Sequence, residues 1–111
     1  MDIKQEVIGK VVILTLTGRL DTLNFPLLDN EMASMLDKKQ NNIILDCRGM
    51  DYVSSSGLRI LLKALKQVKA AGGKFVICCL QPQIIQIFKI SGFDHLFEIH
   101  PELNQALASF N

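Results

Sequence analysis

The sequence predicts an α/β fold in which an N-terminal β-hairpin is followed by alternating helices and strands. Three observations support this prediction. Two strand-like runs flank Gly9 and Lys10, short apolar runs follow at 42–47 and 74–80, and the segments between these runs carry apolar residues at helical spacing. Continuous apolar runs are typical of strands covered on both faces. We therefore expect an α/β sandwich with a mixed, mostly parallel sheet and about four helices.

The size and composition of the chain predict one globular domain that spans residues 1–111. Apolar residues make up 49% of the 111 residues and charged residues 21%, a balance that supports one hydrophobic core. The charged N-terminus does not resemble a secretory signal, and no run approaches the ~18 apolar residues of a membrane span. We expect a cytoplasmic protein without membrane insertion. The net charge of +1 creates no strong field for a polyanion, so we expect no direct nucleic-acid binding.

The first half of the chain divides into a hairpin, a helix and a strand. The second hairpin strand alternates from Val11 to Thr17, and a helix follows with Asn24 as its candidate cap and Pro26 in its first turn. The next strand covers 42–47 and is expected to stop at the segment 48–51. The apolar positions that predict the first helix are Leu28, Met32, Met35 and Leu36.

The second half repeats the alternation of helix and strand. A second helix begins at Ser54, Ser55 and Ser56, which we call the serine turn, and ends at Gly72 and Gly73. A buried strand is predicted at 74–80, a short helix between Pro82 and Gly92, a weak strand at 95–100, and a last helix that starts at Pro101. The apolar positions of the second helix are Leu58, Leu61, Leu62, Leu65 and Val68, and those of the last are Leu103, Ala106, Leu107 and Phe110.

The cysteines and histidines predict neither a disulfide framework nor a metal site. The three cysteines are an odd set, and Cys78 and Cys79 are neighbours whose side chains point to opposite faces in a strand. With Cys47, they are expected to be reduced, buried thiols. His95 and His100 have no cysteine or histidine at metal-ligand spacing. We expect no metal and no cofactor.

The serine turn is the main candidate for function. It lies between a buried strand and a helix N-terminus, where free N–H groups and the helix dipole favour negative charge. One serine suffices to cap the helix, while another hydroxyl in this place is a candidate nucleophile, anion ligand or phosphoacceptor. A nucleophile needs a positioned base and a triphosphate site needs a Gly-x4-Gly-Lys loop, and neither is evident. We therefore do not expect an enzyme.

Several segments in order resemble the landmarks of one protein family. "GRLD", "IILDCRGMDYVSSSGLRILL", "GGKFVICCL", "ISGFDHLF" and "ALASF" are similar to successive landmarks of the STAS domain, the fold of bacterial anti-sigma-factor antagonists. The resemblance covers essentially the whole chain. Its most specific part is the serine turn, which resembles the family motif Asp-Ser-Ser/Thr-Gly-Leu.

The resemblance implies roles for residues around the serine turn. The phosphorylated serine of the family falls on Ser55, the following hydroxyl residue on Ser56 and the glycine on Gly57, while Ser54 replaces the usual acidic residue. Asp21 and Asn24 match a loop that contributes to partner contact, with helix capping as the alternative for Asn24. Asp46 also matches a family position, and we assign it to turn geometry.

Helical spacing adds one basic row to this candidate surface. Arg59, Lys63 and Lys66 follow one another along the second helix, where they form either a surface for an acidic partner or an ordinary solvated face. The candidate partner-binding residues are thus Asp21, Asn24, Ser54, Ser56, Gly57 and Arg59, with Ser55 as the candidate phosphorylation site.

The family resemblance implies a phosphorylation-controlled binding protein. Its unmodified form binds an ATP-dependent anti-sigma serine kinase and frees a sigma factor, the kinase phosphorylates the serine, and a PP2C-like phosphatase removes the phosphate. Two alternatives stay open. The domain is a scaffold subunit of a signalling or lipid-transport complex in which Ser55 is never modified, or it is a sensor that binds a nucleotide or another small anion.

Overall fold

The computed structural model describes all of residues 1–111, and it contains the predicted hairpin followed by alternating helices and strands. One short 3-10 helix covers Phe93–His95. The strands are β1 (Asp2–Ile8), β2 (Val11–Leu20), β3 (Asn42–Val53), β4 (Lys74–Cys78) and β5 (Glu98–His100). The helices are α1 (Phe25–Asp37), α2 (Ser55–Ala70), α3 (Pro82–Ile90) and α4 (Leu103–Ala108).

The five strands form one mixed sheet in the order β1-β2-β3-β4-β5. β1 and β2 pair antiparallel across a turn in which Gly9 has a φ of +61°, and the other three pairs are parallel. The predicted α/β class, the N-terminal hairpin, the mostly parallel sheet and the four helices are all confirmed. Because the parallel strands share one direction, β2, β3, β4 and β5 end toward the same edge of the sheet.

The two faces of the sheet are covered unequally. A cluster of 23 buried apolar residues lies on the face that packs against α1, α2 and α3. A cluster of 6 buried residues lies on the opposite face, where α4 contributes Ala106. No helix has the length and apolar character needed to cross a membrane. The serine turn, at the start of α2, lies on the face covered by α1, α2 and α3.

The third strand is longer than the sequence predicts. We expected it to stop at 48–51, but β3 runs to Val53 because β2 also extends, to Leu20, and the two remain paired. The register shifts once after Asp46, which pairs with Thr15, and again before Tyr52. These bulges let the strand pass through polar residues without losing its partner. The extension carries the serine turn beyond the end of β4.

Other element boundaries also differ from the predictions. β4 ends at Cys78, since Cys79 has a φ of +62° that breaks the strand, and β5 begins only at Glu98. α4 begins at Leu103 after Glu102, whose N–H donates to the Gln105 side chain at 3.2 Å, so Pro101 lies outside the helix. Cys47 and Cys78 are buried, and burial raises the pKa of each thiol. The prediction that all three thiols are buried is wrong for Cys79, which is only half-buried.

Candidate functional site

The serine turn joins the end of β3 to the start of α2. Val53 is the last residue of the strand and Ser55 the first of the helix, with Ser54 in the extended conformation between them at φ −90° and ψ 173°. The backbone N–H of Ser54 donates to the carbonyl of Leu20 at 2.9 Å. This bond ties the turn to the end of β2 and so to the loop that leads into α1.

The three serines do different things. The Ser54 hydroxyl oxygen accepts a hydrogen bond from the N–H of Gly57 at 3.1 Å, so Ser54 is the N-cap of α2. The Ser56 hydroxyl accepts a bond from the Thr22 hydroxyl at 3.3 Å. Ser55 is exposed, and its hydroxyl makes no hydrogen bond within the chain. Of three consecutive hydroxyls, only the one on Ser55 is free.

Gly57 is needed for packing. It is buried, and a Cβ atom at this position would lie 2.7 Å from the carbonyl oxygen of Leu20 and 2.9 Å from the side chains of Leu20 and Val53. Real Cβ atoms do not approach backbone so closely, so any side chain would push the helix away from the sheet. Gly57 therefore positions the serine turn, and no side chain of this residue is present to contact a partner.

The loop from β2 to α1 lies beside the serine turn and is closed by its own polar side chains. The Asp21 carboxylate accepts bonds from the N–H groups of Leu23 at 3.0 Å and Asn24 at 3.2 Å, and it pairs with Arg19 at 3.4 Å. Asn24 accepts from the Asp21 N–H at 2.8 Å and donates to the carbonyl of Arg19. The prediction that Asn24 caps α1 is wrong for its side chain, which makes no cap bond because it closes this loop instead.

The electrostatics of this loop keep Asp21 ionised. Desolvation pushes the pKa of the Asp21 carboxyl up, but the N–H donors of Asn24 and Leu23 and the Arg19 guanidinium outweigh it. The pKa of Asp21 therefore lies below its ordinary value. Arg19 also stacks on the ring of Tyr52 at 4.0 Å, which holds its charge at the edge of the loop.

The basic row along α2 is divided by an ion pair. Lys63 pairs with Asp29 of α1 at 2.9 Å, so the Lys63 charge is neutralised by an ion pair between the two helices. Arg59 and Lys66 are exposed and form no ion pair. Of this row, Arg59 lies nearest to the serine turn and is the cation that a partner can reach there.

Two residues of this surface were missed from the sequence. Thr22 bonds Ser56 across 34 positions of the chain, and its neighbour Leu23 is 91% exposed. A hydroxyl bond between distant loops leaves no periodic signal in a sequence. Leu23 gave no signal either, because single apolar side chains are common on protein surfaces.

The serine turn places its polar groups at the N-terminus of α2. The N–H groups of Ser55 and Ser56 lie in the first turn of α2, where no helix carbonyl is available to accept from them, so this position favours negative charge. His100 bonds Glu98 at 2.7 Å and His95 lies near Asp94 at 3.8 Å, and neither bonds a serine of the turn. The site presents a free hydroxyl at the positive end of a helix, with no histidine beside it as a base.

Comparison with known proteins connects this site to one family. A family model described as "STAS domain" matches residues 2–106. A relative from Bordetella bronchiseptica, named "Putative anti-sigma factor antagonist BtrV", is 34% identical over 110 residues. The match covers 99% of this chain and 95% of that relative, so it includes both the serine turn and the loop beside it.

Solved structures share the whole fold. An anti-sigma factor antagonist from Mycobacterium paratuberculosis superposes with a TM-score of 0.87 at 20% identity, covering 97% of this chain and 92% of that one. The Bacillus cell fate determinant SpoIIAA in its phosphorylated form superposes with a TM-score of 0.75 at 18% identity, covering 99% and 100%. At these identities the likeness is one of fold.

Proposed function

This chain belongs to the STAS-domain family, and we propose that it acts as an anti-sigma factor antagonist switched by phosphorylation of Ser55. In the unmodified state the serine turn and the loop 21–24 bind an anti-sigma factor that is also a serine kinase, which frees a sigma factor. The kinase phosphorylates Ser55 and the complex separates. A PP2C-like phosphatase restores the binding form. The name of the Bordetella relative supports an anti-sigma factor as the partner.

The observation that carries the proposal is the free hydroxyl of Ser55. A kinase needs a serine whose oxygen can enter its active site, and Ser54 and Ser56 are each engaged, by Gly57 and by Thr22. Ser55 is exposed and sits where the helix dipole favours added negative charge. Phosphorylation there adds a charge of about −2 without breaking a bond of the fold.

The replacement of the usual acidic residue by Ser54 is compatible with this switch. Serine and aspartate are about equally good N-caps, and the Ser54 hydroxyl already accepts the N–H of Gly57. The cap is therefore kept, while a negative charge that would repel a phosphate on Ser55 is removed. The turn of this chain therefore carries less negative charge than the family motif and keeps a side-chain cap on α2.

The surface around Ser55 explains how one phosphate could reverse binding. Leu23 is almost fully exposed and follows Thr22, which bonds the serine turn, so a partner that covers the turn also covers an apolar side chain. A phosphate buried in such a contact carries a desolvation cost and repels acidic groups. The N-terminus of α2 stabilises the phosphate in the free protein. It does not offset the desolvation and repulsion that the partner experiences in the complex.

We infer in addition that the domain has no catalytic activity of its own. The serine turn contains no base, and the two histidines are engaged in their own segment near β5. Turnover assays with nucleotides and esters are expected to give no product above a blank. Sustained turnover that disappears in Ser55→Ala would contradict the binding role.

The proposal is tested by comparing two substitutions at one position. The anti-sigma factor is captured with the tagged full chain from its own cells, identified, and titrated calorimetrically against wild type, Ser55→Ala and Ser55→Asp. We expect Ser55→Ala to retain most of the affinity. Ser55→Asp is expected to weaken binding by at least about thirtyfold, since a misplaced interfacial charge costs roughly 2 kcal/mol or more.

The same material separates the alternatives. Native mass spectrometry of the protein from its own cells shows a phosphorylated fraction if Ser55 is a switch. Stable subunits without phosphate favour the scaffold role, for which the absence of the acidic residue at Ser54 is the supporting feature. A retained small anion favours a sensor. If Ser55→Asp binds the anti-sigma factor as tightly as wild type does, the scaffold role is favoured.

A further inference from the structure

A second group of reactive side chains lies at the end of β4, on the face covered by α4. Asp46 of β3 pairs in register with Cys78 of β4, so the two side chains are neighbours on one face of the sheet. The sulfur of Cys79 joins them, and one ligand atom from each of the three residues lies within 4.8 Å of the others. We call Asp46, Cys78 and Cys79 the cysteine cluster.

The backbone of Cys79 brings the two sulfur atoms together. In a regular strand, neighbouring side chains point to opposite faces, which is why the sequence predicts no common site for Cys78 and Cys79. Cys79 instead has a φ of +62°, in the left-handed region, and its N–H donates to the carbonyl of His100 at 3.1 Å. A non-glycine residue held there costs of order 1–3 kcal/mol, and such strain is concentrated at functional sites and ligand clamps.

Arg48 contacts the cluster through both its backbone and its side chain. Asp46 is 5% exposed, and one of its carboxylate oxygens accepts the N–H of Arg48 at 3.0 Å, which orients the side chain. The Arg48 guanidinium lies 3.7 Å from the Cys79 sulfur. One carboxylate and two thiolates would carry three negative charges, which a divalent cation and Arg48 together neutralise. A neutral set is what a buried site requires.

Solvent and ions can reach this position. A surface groove of about 500 Å³ is lined by Arg48, Cys79, Leu80 and the segment 101–104, and it opens beside the half-buried Cys79. Glu102 in this groove adds negative charge to the approach. The cluster is separate from the serine turn, because Asp46 precedes Val53 by seven residues of β3, roughly 20 Å along a strand.

We propose that Asp46, Cys78 and Cys79 bind a thiophilic divalent cation of the zinc class, with solvent in the fourth position. Two sulfur atoms and one carboxylate oxygen are a ligand set that Zn²⁺ accepts. Bonds of about 2.0–2.3 Å in a tetrahedron separate the ligand atoms by roughly 3.3–3.8 Å. Since the three atoms lie within 4.8 Å of one another, the side chains need to approach by no more than roughly 1.5 Å when the ion binds. A coordinated thiol loses its proton to solvent as the metal–sulfur bond forms.

The test is titration of the full chain with Co²⁺, which reports thiolate ligands through a charge-transfer absorption band, followed by displacement with Zn²⁺. The protein is kept reduced with a phosphine, since a thiol reductant would itself bind the metal. We expect one equivalent of Co²⁺ with a thiolate band that Zn²⁺ removes. The absence of a band, or a band that Zn²⁺ does not displace, would overturn the proposal.

Substitutions assign the ligands. Cys79→Ser and Asp46→Asn are each expected to weaken Co²⁺ binding at least about tenfold, because each removes one of the three ligands. Cys79 is half-buried, so its substitution leaves the core in place. Cys47→Ala is the matched control, because Cys47 is the third thiol and lies in the cluster of buried residues on the other face. Binding that survives Cys79→Ser, or that is lost in Cys47→Ala, would place the metal elsewhere.

Discussion

The serine turn and the cysteine cluster both place identical neighbouring residues at the end of a parallel strand, but they are built in opposite ways. The serine turn follows the rules of a helix N-terminus: Ser54 caps α2 and Ser55 occupies its exposed first position. The cysteine cluster depends on one strained residue, Cys79, and on the register that brings Asp46 beside Cys78. The first is a local structure, and the second exists only in the assembled sheet.

This difference determines what substitutions should do in each place. At the serine turn, the backbone is relaxed and each side chain has one task, so changes separate into effects on packing, on capping and on binding. At the cysteine cluster, the backbone itself is under strain, so removing a side chain can stabilise the protein.

The largest effect on stability is expected from Gly57→Ala. The added methyl group would meet the carbonyl oxygen of Leu20 at 2.7 Å, so α2 must shift, at a cost of about 1–3 kcal/mol in the free energy of unfolding. Urea denaturation measures it, with Arg59→Ala as an exposed control on the same helix. A Gly57→Ala protein as stable as the control would mean that Gly57 has no packing role and is free to serve the partner.

The next effect distinguishes Ser54, which caps α2, from Ser55, which does not. Ser54→Ala removes the cap and is expected to cost about 0.5–2 kcal/mol, whereas Ser55→Ala should change stability by less than about 0.5 kcal/mol. Thermal melts of the two variants at one pH make the comparison. Equal destabilisation by both would show that Ser55 also supports the helix and that its hydroxyl is not free.

At the cysteine cluster, one substitution is expected to raise the free energy of unfolding instead of lowering it. Cys79→Gly relieves a left-handed conformation that costs of order 1–3 kcal/mol, against an entropic cost of about 0.5–1 kcal/mol for glycine, so a gain of about 1 kcal/mol is expected. Cys79→Ala keeps the strain and is the matched control. If Cys79→Gly is less stable than Cys79→Ala, the backbone at this position is not strained.

The smallest effect belongs to the loop beside the serine turn and depends on pH. The folded-state pKa of Asp21 lies below its ordinary value, so its contribution is fully present above the unfolded pKa of about 3.9 and is lost as pH falls through the folded pKa. The stability difference between wild type and Asp21→Asn should therefore shrink between pH 5 and pH 2. Chemical denaturation at both ends measures it, and a difference independent of pH would contradict the role of the Asp21 charge.

The features that were predictable from the sequence are those with local causes. Apolar spacing located α1, α2 and α4, and Pro82 with Gly92 located α3. The turn glycines Gly9, Gly72 and Gly92 have positive φ values, and the serine turn lies at the start of α2. Each of these depends on residues close together in the chain. The family motifs placed Ser55 within that frame.

The features that were missed depend on contacts between distant segments. β3 passes through polar residues because β2 stays paired with it across two bulges, and no pattern inside 48–51 signals that. The Asn24 side chain serves the loop because Asp21 and Arg19 present partners there. Cys79 leaves the strand where its N–H bonds His100 of β5. In each case the structure depends on a hydrogen-bond partner that lies on another element, or on one of several partners available nearby in the chain.

The assignment of Ser55 as the phosphorylated residue is tested most directly by peptide mapping after incubation of the full chain with the captured anti-sigma kinase and ATP. Wild type should acquire one phosphate per chain, on Ser55, and Ser55→Ala should acquire none while Ser54→Ala and Ser56→Ala are still modified. Phosphate on Ser54 or Ser56 in the wild-type protein, or undiminished phosphorylation of Ser55→Ala, would contradict the assignment.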